Sequence, residues 1–290
     1  MDDEDVAAYL RRLGLEAEPP SVDALFRLHR AHVERVPYET VWLHLGQPWT
    51  VDPKQSARRI AHEGRGGYCF HVNGGFSELL RALGYDTTRH VGGVHGPDGP
   101  AEGEMANHLV LSVASLPSDG NPDGTWYVDA GLGDALYEPL PLQAGEYQQG
   151  PFGYTLTATP GKVGDWHFGH DARGSFDGMC WRSAPAEMPD FAAQHERLST
   201  SPDSPFVQYL IVQHRDAEGV DIMLGLGLRR VDGTKTSGRA LTKRAEWFDA
   251  LADVFGLRFE TIESDALDRL WEKMYAAHVA WEESKVSPTH

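Results

Sequence analysis

A cysteine, a histidine and an aspartate stand at separate points of the 290-residue chain, each in a local setting that suits chemistry. Cys69 follows two glycines, His108 precedes an apolar run, and Asp129 precedes a glycine-rich turn. The thiolate is the nucleophilic form of cysteine, and a free thiol with a pKa near about 8.5 needs a base or a positive potential to ionise. An imidazole can take that proton, and a carboxylate can fix its tautomer. The three residues together predict a cysteine nucleophile.

The segment after Cys69 is predicted to be a helix. Apolar side chains recur at helical spacing over residues 70–83, and Gly84 follows as a stop signal. We therefore expect Cys69 at a helix N-terminus, where unpaired amides and the helix dipole favour a negative sulfur. Arg65 adds a positive charge just upstream, and the same amides are suited to hold an oxyanion.

His108 and Asp129 are predicted to lie at the edges of two strands. Residues 109–113 form an apolar run after His108, and residues 125–128 form a second run that ends at Asp129. Pairing of these strands as a hairpin brings the imidazole and the carboxylate together. Each residue alone also has a structural interpretation, because a free cysteine packs as a small apolar group and aspartate is common in turns. The prediction rests on their conjunction.

Longer stretches of the sequence resemble the arylamine N-acetyltransferase family over most of the chain. The matching segments are Arg65-Gly-Gly-Tyr-Cys69-Phe, Asn107-His108-Leu, Val128-Asp129-Ala-Gly-Leu-Gly133, and the flanking stretches 36–40 and 199–206.

The resemblance implies a catalytic triad of Cys69, His108 and Asp129, and acyl transfer through a thioester on Cys69. It implies acetyl-CoA or another acyl thioester as the co-substrate and a small arylamine or hydrazine as the acceptor. Neither a tightly bound cofactor nor a metal is expected.

The resemblance also implies an α+β fold in three parts. An N-terminal helical bundle carries the cysteine, a central β-barrel carries the histidine and the aspartate, and an α/β lid follows. On the sequence these parts correspond to residues 1–86, 87–198 and 199–290.

Several residues are candidates for binding. For the phosphates of a CoA-like donor we expect backbone amides at Gly131 and Gly133, with Arg65 or the pair Arg229-Arg230 nearby, although the two glycines have an alternative role in turn geometry. For the acceptor pocket we expect walls of aromatic side chains. Aromatic side chains are also common in protein cores, so each candidate has that alternative position. The candidates are Phe70, Tyr38, Trp42 and Phe206.

The cysteine segment departs from the family pattern at one position. The family commonly has a glutamate two residues after the cysteine, whereas this chain has His71. His71 is either a titratable base near the pocket, which changes acceptor preference, or an imidazole on the helix surface.

Two other activities remain open at this point. The first is an amide synthase that couples or releases a polyketide- or peptide-like chain held on an acyl carrier protein. The second is hydrolysis, because papain-like peptidases and transglutaminases also use cysteine, histidine and an acid. The sequence around Cys69 does not fit the papain pattern. A binding module without catalysis is a further alternative.

Composition limits the partners and the compartment. The formal charge of −17 disfavours nucleic acid and anionic membranes, and no apolar run reaches about 18 residues. The acidic first residues are unlike a secretion signal, which predicts a cytoplasmic protein. The chain has 2 cysteines, too few for a disulfide framework, and Cys180 is predicted to serve packing alone.

Overall fold

The computed structural model describes residues 1–233 and 235–286. A π-helical turn, Arg59–Glu63, continues the fourth α-helix. The α-helices of the described residues are α1 (Asp3–Leu13), α2 (Val22–Arg35), α3 (Val41–His44), α4 (Pro53–Arg58), α5 (Cys69–Ala82), α6 (Ala192–Thr200), α7 (Pro205–Gln208), α8 (Arg244–Asp253) and α9 (Ser264–Val286).

The strands form two antiparallel sheets. In the order of their hydrogen bonding, the strands of the larger sheet are β5-β4-β3-β2-β9-β8-β7-β6, and those of the smaller sheet are β1-β10-β11-β12-β13. The strands are β1 (Tyr38–Glu39), β2 (Asp86–His95), β3 (His108–Ala114), β4 (Trp126–Val128), β5 (Leu140–Pro141), β6 (Gly145–Gln149), β7 (Phe152–Ala158), β8 (Trp166–Gly169), β9 (Gly178–Pro185), β10 (Ile211–Arg215), β11 (Gly219–Leu224), β12 (Gly227–Asp232) and β13 (Thr236–Ala240).

The α+β fold expected from the sequence is confirmed. The larger sheet curls into a nearly closed barrel of eight strands, with helices before it in the chain. The short strand β1 comes from the helical N-terminal part and pairs with β10 of the smaller sheet. The bounds of the three parts stay a prediction. Within the described residues, no helix combines the length and the apolar character that a membrane crossing requires.

The N-terminal helices begin and end where local sequence signals place them. Ser21 precedes α2, and its side-chain oxygen accepts a hydrogen bond from the amide of Ala24 at 3.1 Å. Gly14 ends α1 in the left-handed conformation, with φ of 64°. These boundaries are set by residues within a few positions of each helix end, so the sequence predicts them well.

Helix α5 is the central helix and carries Cys69 as its first residue. Its side chains are buried on nearly every face, and it packs on α4, β2 and β3. Gly75 makes the approach of α4 possible, because a Cβ there would lie 2.8 Å from Ile60 Cδ1 and 3.1 Å from the amide of Ala57. The buried position of α5 holds Cys69 against the first residues of β3.

Two predicted strands differ from the structure in the C-terminal part. The apolar residues of the stretch 206–213 predict one strand, but Ser204 and Pro205 begin the short helix α7, and β10 starts only at Ile211. The stretch 220–228 predicts a second strand, but a turn with Gly225 at φ of 56° separates β11 from β12. The capping signal and the glycine outweigh the apolar character of these stretches.

Candidate active site

Cys69 lies at the N-terminus of α5, as the sequence predicts. Its side chain is nearly buried, and Sγ lies 3.6 Å from the carbonyl oxygen of Asn107. The two preceding glycines shape the entry into the helix. A Cβ on Gly66 would lie 1.9 Å from the carbonyl oxygen of Pro37, and Gly67 has φ of 86°. Larger residues at these positions would displace the nucleophile.

His108 and Asp129 meet through the pairing of their strands. β3 and β4 are antiparallel, with Leu111 opposite Val128. His108 begins β3, Asp129 directly follows β4, and His108 Nε2 donates to Asp129 Oδ2 at 2.9 Å. Both side chains are almost completely buried. Nδ1 is the ring nitrogen left for Cys69.

Asp129 is held by three further hydrogen bonds. Asn73 Nδ2 donates to Oδ1 at 2.6 Å, the amide of Gly131 donates to Oδ1 at 3.1 Å, and the Tyr127 hydroxyl donates to Oδ2 at 3.1 Å. Donors on both oxygens satisfy the hydrogen-bonding capacity of the buried side chain. The carboxylate is therefore fixed in place and keeps the ring of His108 in one orientation.

The environment of His108 favours its charged form. Burial by itself lowers the pKa of this imidazole, but the negative charge of Asp129, the hydrogen bond to Asp129 and the interaction with Cys69 together raise the pKa to about 10. An imidazolium at neutral pH is the partner that stabilises a neighbouring thiolate. The site thus places a charged imidazolium beside the thiol of Cys69.

This pKa predicts a pH-dependent stability. The folded-state pKa of His108 lies above the unfolded value of about 6.5, so its contribution is complete below that pH and is lost as pH rises through about 10. Between these limits we expect the free energy of unfolding to fall by up to about 1.4 kcal/mol per pH unit relative to His108→Gln. Denaturant unfolding of both proteins across this window measures the difference. Parallel stability curves would contradict the assigned pKa.

Sequence reasoning missed three residues that support the triad. Asn73 and Tyr127 bind Asp129, and the side chain of Asn107 bonds the backbone of Val94 through both of its polar atoms, at 2.8 and 2.9 Å. Asn73 stands four residues after Cys69, so both face the same side of α5. A polar residue at that spacing on an otherwise buried helix was the available signal.

A cavity of about 440 Å³ adjoins the triad and is lined mostly by apolar side chains. Its volume falls in the range of small-molecule sites. Tyr38 and Phe206 line it, at the place expected for aromatic walls. The lining residues are Tyr38, Cys69, Val94, Asn107, His108, Gly131, Leu132, Ser175, Phe176, Arg197, Leu198, Pro205, Phe206, Ile211, Gln213, Ile222, Leu224 and Arg229.

Two expected pocket walls lie elsewhere. Phe70 is fully buried, and its ring packs against Tyr68 and Phe191 at centroid distances of 5.3 and 5.4 Å. Trp42 is also buried, and it stacks on Trp49. Neither side chain lines the cavity. The packing of α3 and α5 sets the direction in which each side chain points, and proximity to Cys69 in sequence does not.

The structure places His71 in the protein interior. Its side chain is fully buried, so it is not on the helix surface, and it does not line the cavity. Its ring lies 4.9 Å from that of Tyr68 and 5.1 Å from that of Trp42. Burial, followed by the positive charge of Arg59, lowers its pKa well below the usual value. His71 is a neutral member of an aromatic cluster.

The expected phosphate-binding residues are engaged within the protein. Arg65 is buried and pairs with Glu39, with Nη2 to Oε1 at 2.9 Å. The amide of Gly131 is used by Asp129. Gly133 has φ of 74°, and a Cβ there would lie 2.0 Å from Gln213 Oε1, which favours the alternative of turn geometry. Arg229 does line the cavity.

The Arg65–Glu39 pair predicts a large effect on stability. Glu39 Oε2 also accepts from the amide of Val41 at 2.7 Å, so the pair joins the segment before Cys69 to the start of α3. Arg65→Met leaves a buried carboxylate without its partner, which costs about 3–5 kcal/mol. The exposed pair Arg27–Glu18 is a matched control, since Arg27→Met removes less than about 1 kcal/mol. Equal losses in denaturant unfolding would contradict this role.

The chain is similar to known proteins in both sequence and fold. A protein-family model described as N-acetyltransferase matches residues 21–264. The arylamine N-acetyltransferase of Mycolicibacterium smegmatis is 30% identical over 263 residues, which cover 87% of this chain and 92% of the relative. The pineal gland isozyme NAT-3 of Gallus gallus, also an arylamine N-acetyltransferase, is 26% identical over 255 residues, covering 78% and 83%. The solved structure of the Mycobacterium marinum arylamine N-acetyltransferase in complex with CoA aligns with a TM-score of 0.81 at 25% identity, covering 94% of this chain and 99% of that one.

Proposed function

The chain belongs to the arylamine N-acetyltransferase family, and from this premise we propose that it moves an acetyl group from acetyl-CoA, through a thioester on Cys69, to an arylamine or hydrazine nitrogen. Acetyl transfer of the arylamine N-acetyltransferase type is supported by the matched relatives. The names of these relatives lend no support to an amide synthase. The observation that carries the proposal is the convergence of Cys69, His108 and Asp129 beside one apolar cavity.

In the first step the Cys69 thiolate attacks the carbonyl carbon of the donor thioester. A bond forms between Sγ and that carbon, and the bond from the carbon to the sulfur of CoA breaks. His108, charged before the attack, returns its proton to the departing thiolate. The products are an acetyl thioester on the enzyme and free CoA.

In the second step an amine attacks the enzyme thioester. The nitrogen forms a bond to the acetyl carbon, the carbon–sulfur bond to Cys69 breaks, and His108 takes the proton that the nitrogen loses. Arylamines of low basicity are already neutral at pH 7, so they attack without prior deprotonation. Asp129 stabilises the imidazolium that forms, and the original thiolate–imidazolium pair is restored.

The N-terminus of α5 supplies the donors for the oxyanion in both steps. The first amides of a helix have no acceptor within the helix, and the positive end of the dipole points at the reacting carbon. Cys69 is the first residue of α5, so its own amide lies beside the sulfur. Fixed donors of this kind stabilise a developing negative oxygen.

The cavity suits a flat apolar acceptor. The rings of Tyr38 and Phe206 are tilted by 55° with their centroids 6.3 Å apart, and Ile211 and Leu224 add apolar surface. An apolar pocket excludes water, which would otherwise compete with the amine for the thioester. The aromatic walls favour a ring close to Cys69.

The donor phosphates are assigned to Arg229. This side chain lines the cavity on β12, whereas its neighbour Arg230 is held by Asp216 and Asp221 at 2.8 and 2.7 Å. The structural relative from Mycobacterium marinum was solved in complex with CoA, which supports a CoA donor in this family. A cation at the cavity rim also offsets the repulsion between CoA and an acidic protein.

Hydrolysis of p-nitrophenyl acetate with and without an arylamine tests the proposal. Transfer predicts that the amine accelerates release of p-nitrophenol and that the acetylated amine accumulates in equal amount, because the acceptor regenerates free Cys69. Cys69→Ala is the control for background hydrolysis. A rate indifferent to amine, with acetate as the product, would assign hydrolysis instead.

A further inference from the structure

Three metal-ligating side chains meet on the barrel wall, away from the triad. They are His95 at the end of β2, His167 on β8 and Cys180 on β9. His167 lies directly opposite Cys180, and Cys180 lies opposite Gly93, two residues before His95. Since alternate residues of a strand share a face, all three side chains lie on the same face of the sheet. The sequence predicted packing alone for Cys180, and the structure places it beside two imidazoles.

The three potential ligand atoms are already close together. Each lies within 4.8 Å of the other two, and the Nε2 atoms of His95 and His167 are 3.1 Å apart. A tetrahedral zinc site has metal–nitrogen and metal–sulfur distances of about 2.0–2.1 and 2.3 Å, which separates its ligands by roughly 3.3–3.6 Å. Only small shifts of the side chains are needed to reach that geometry.

A glycine makes this arrangement possible. Gly178 lies on the same face of β9 as Cys180. A Cβ at Gly178 would lie 2.8 Å from His167 Nε2 and 2.9 Å from His95 Nε2. Any larger residue would push one of the two imidazoles away. The backbone is thus shaped around the point where both ring nitrogens converge.

His95 is oriented for ligation by its second nitrogen. Nδ1 lies 2.9 Å from the carbonyl oxygen of Gly96. Because a carbonyl oxygen can only accept a hydrogen bond, Nδ1 carries the proton. The lone pair of Nε2 is therefore directed into the cluster, which is the arrangement that carbonyl partners impose on histidine ligands of metals. Cys180 and His95 are both buried, so water competes little for these positions.

We propose that His95, His167 and Cys180 form a binding site for a zinc ion, which nothing in the proposed acetyl transfer requires. Two imidazoles and one thiolate match the borderline-soft preference of Zn²⁺, with a water completing the tetrahedron. Binding forms the bond between Sγ and the metal, breaks the S–H bond and releases that proton to solvent, without a change of oxidation state. The ion links β2, β8 and β9.

The position of the site connects it to the catalytic cavity. His95 directly follows Val94, which lines the cavity and whose backbone is bonded on both sides by Asn107. The carbonyl oxygen of Asn107 in turn contacts the thiol of Cys69. A metal at His95 fixes the end of the strand that shapes this side of the cavity.

The test uses tag-free, full-length Cys69→Ala, because Cys69 and His108 would otherwise offer a competing site. The natural chain has 2 cysteines, so Cys180 is the last thiol in this variant. Titration with Co²⁺ should produce a thiolate-to-cobalt charge-transfer band, and addition of Zn²⁺ should abolish it. Zinc-loaded protein should retain about one zinc ion per chain after gel filtration. Absence of the charge-transfer band in the folded variant would overturn the proposal.

A second pair of variants, made in the same Cys69→Ala protein, checks the ligand set. His167→Gln should lose the band and lower retained zinc to background. His90 is a histidine on β2 that bonds Ser112 outside the cluster. The control variant His90→Gln should keep both the charge-transfer band and the retained zinc. Circular dichroism and thermal unfolding without metal establish that each variant is folded. Equal zinc retention in the two variants would reject the site. If His167→Gln does not fold, the cobalt spectrum of the Cys69→Ala protein by itself tests the proposal.

Discussion

Cys69→Ser will lower the rate of acetyl transfer by at least about 10⁴-fold, because the reaction depends on an ionised sulfur. A serine hydroxyl has nearly the same size and fits the buried position at the start of α5. Its far higher pKa prevents His108 from holding it as an anion. Steady-state kinetics with acetyl-CoA and an arylamine measure the loss, and thermal unfolding should remain near that of the wild type.

Cys180→Ser is the matched control, since it makes the same chemical change at the other cysteine of the chain. In metal-free protein, where Cys180 has no ligand role, it should leave acetyl transfer unchanged. A comparable loss of rate in both variants would indicate a general effect of the substitution on folding. Retained activity in Cys69→Ser would remove the sulfur from the mechanism altogether.

Asp129→Asn will lower acetyl transfer by roughly 10³- to 10⁴-fold while the fold is kept. The amide has almost the shape of the carboxylate, but it carries no charge to stabilise the imidazolium of His108. The positive shift in the pKa of His108 depends on that charge, so the thiolate at Cys69 loses its partner. The loss should appear mainly in kcat, because Asp129 does not line the cavity.

Asp134→Asn provides the control for this substitution. Asp134 is also buried, and its Oδ1 lies 3.3 Å from Nε2 of His170, so the variant changes a second aspartate–histidine contact in the same way. We expect its transfer rate to stay within about 10-fold of the wild type. A matching loss in both variants would show that buried charge in general, and not the orientation of His108, sets the rate.

The sequence predicts the features that depend on near neighbours. The capping of α2 by Ser21, the end of α1 at Gly14 and the helical start at Cys69 all follow from residues within one turn. The pairing of His108 with Asp129 was also predicted, since each stands at the edge of an apolar strand and a hairpin joins the two.

Other features depend on where a side chain points after packing. Arg65 and His71 lie close to Cys69 in sequence, but the first is paired with Glu39 and the second is enclosed by aromatic rings. Asn73 was overlooked because its partner, Asp129, is 56 residues away. Cys180 meets His95 and His167 only through the register of three strands. Local spacing can mark a residue such as Asn73 as a candidate, but its partner is set by tertiary packing.

The central claim is that acetyl transfer passes through a covalent thioester on Cys69. The most direct measurement is the intact mass of the protein after incubation with acetyl-CoA in the absence of an amine, followed by peptide mapping. The account predicts a mass increase of one acetyl group on the peptide that contains Cys69, which disappears on addition of an arylamine as the acetylated amine forms. Transfer to the amine at the normal rate without any acetylated Cys69 would contradict it.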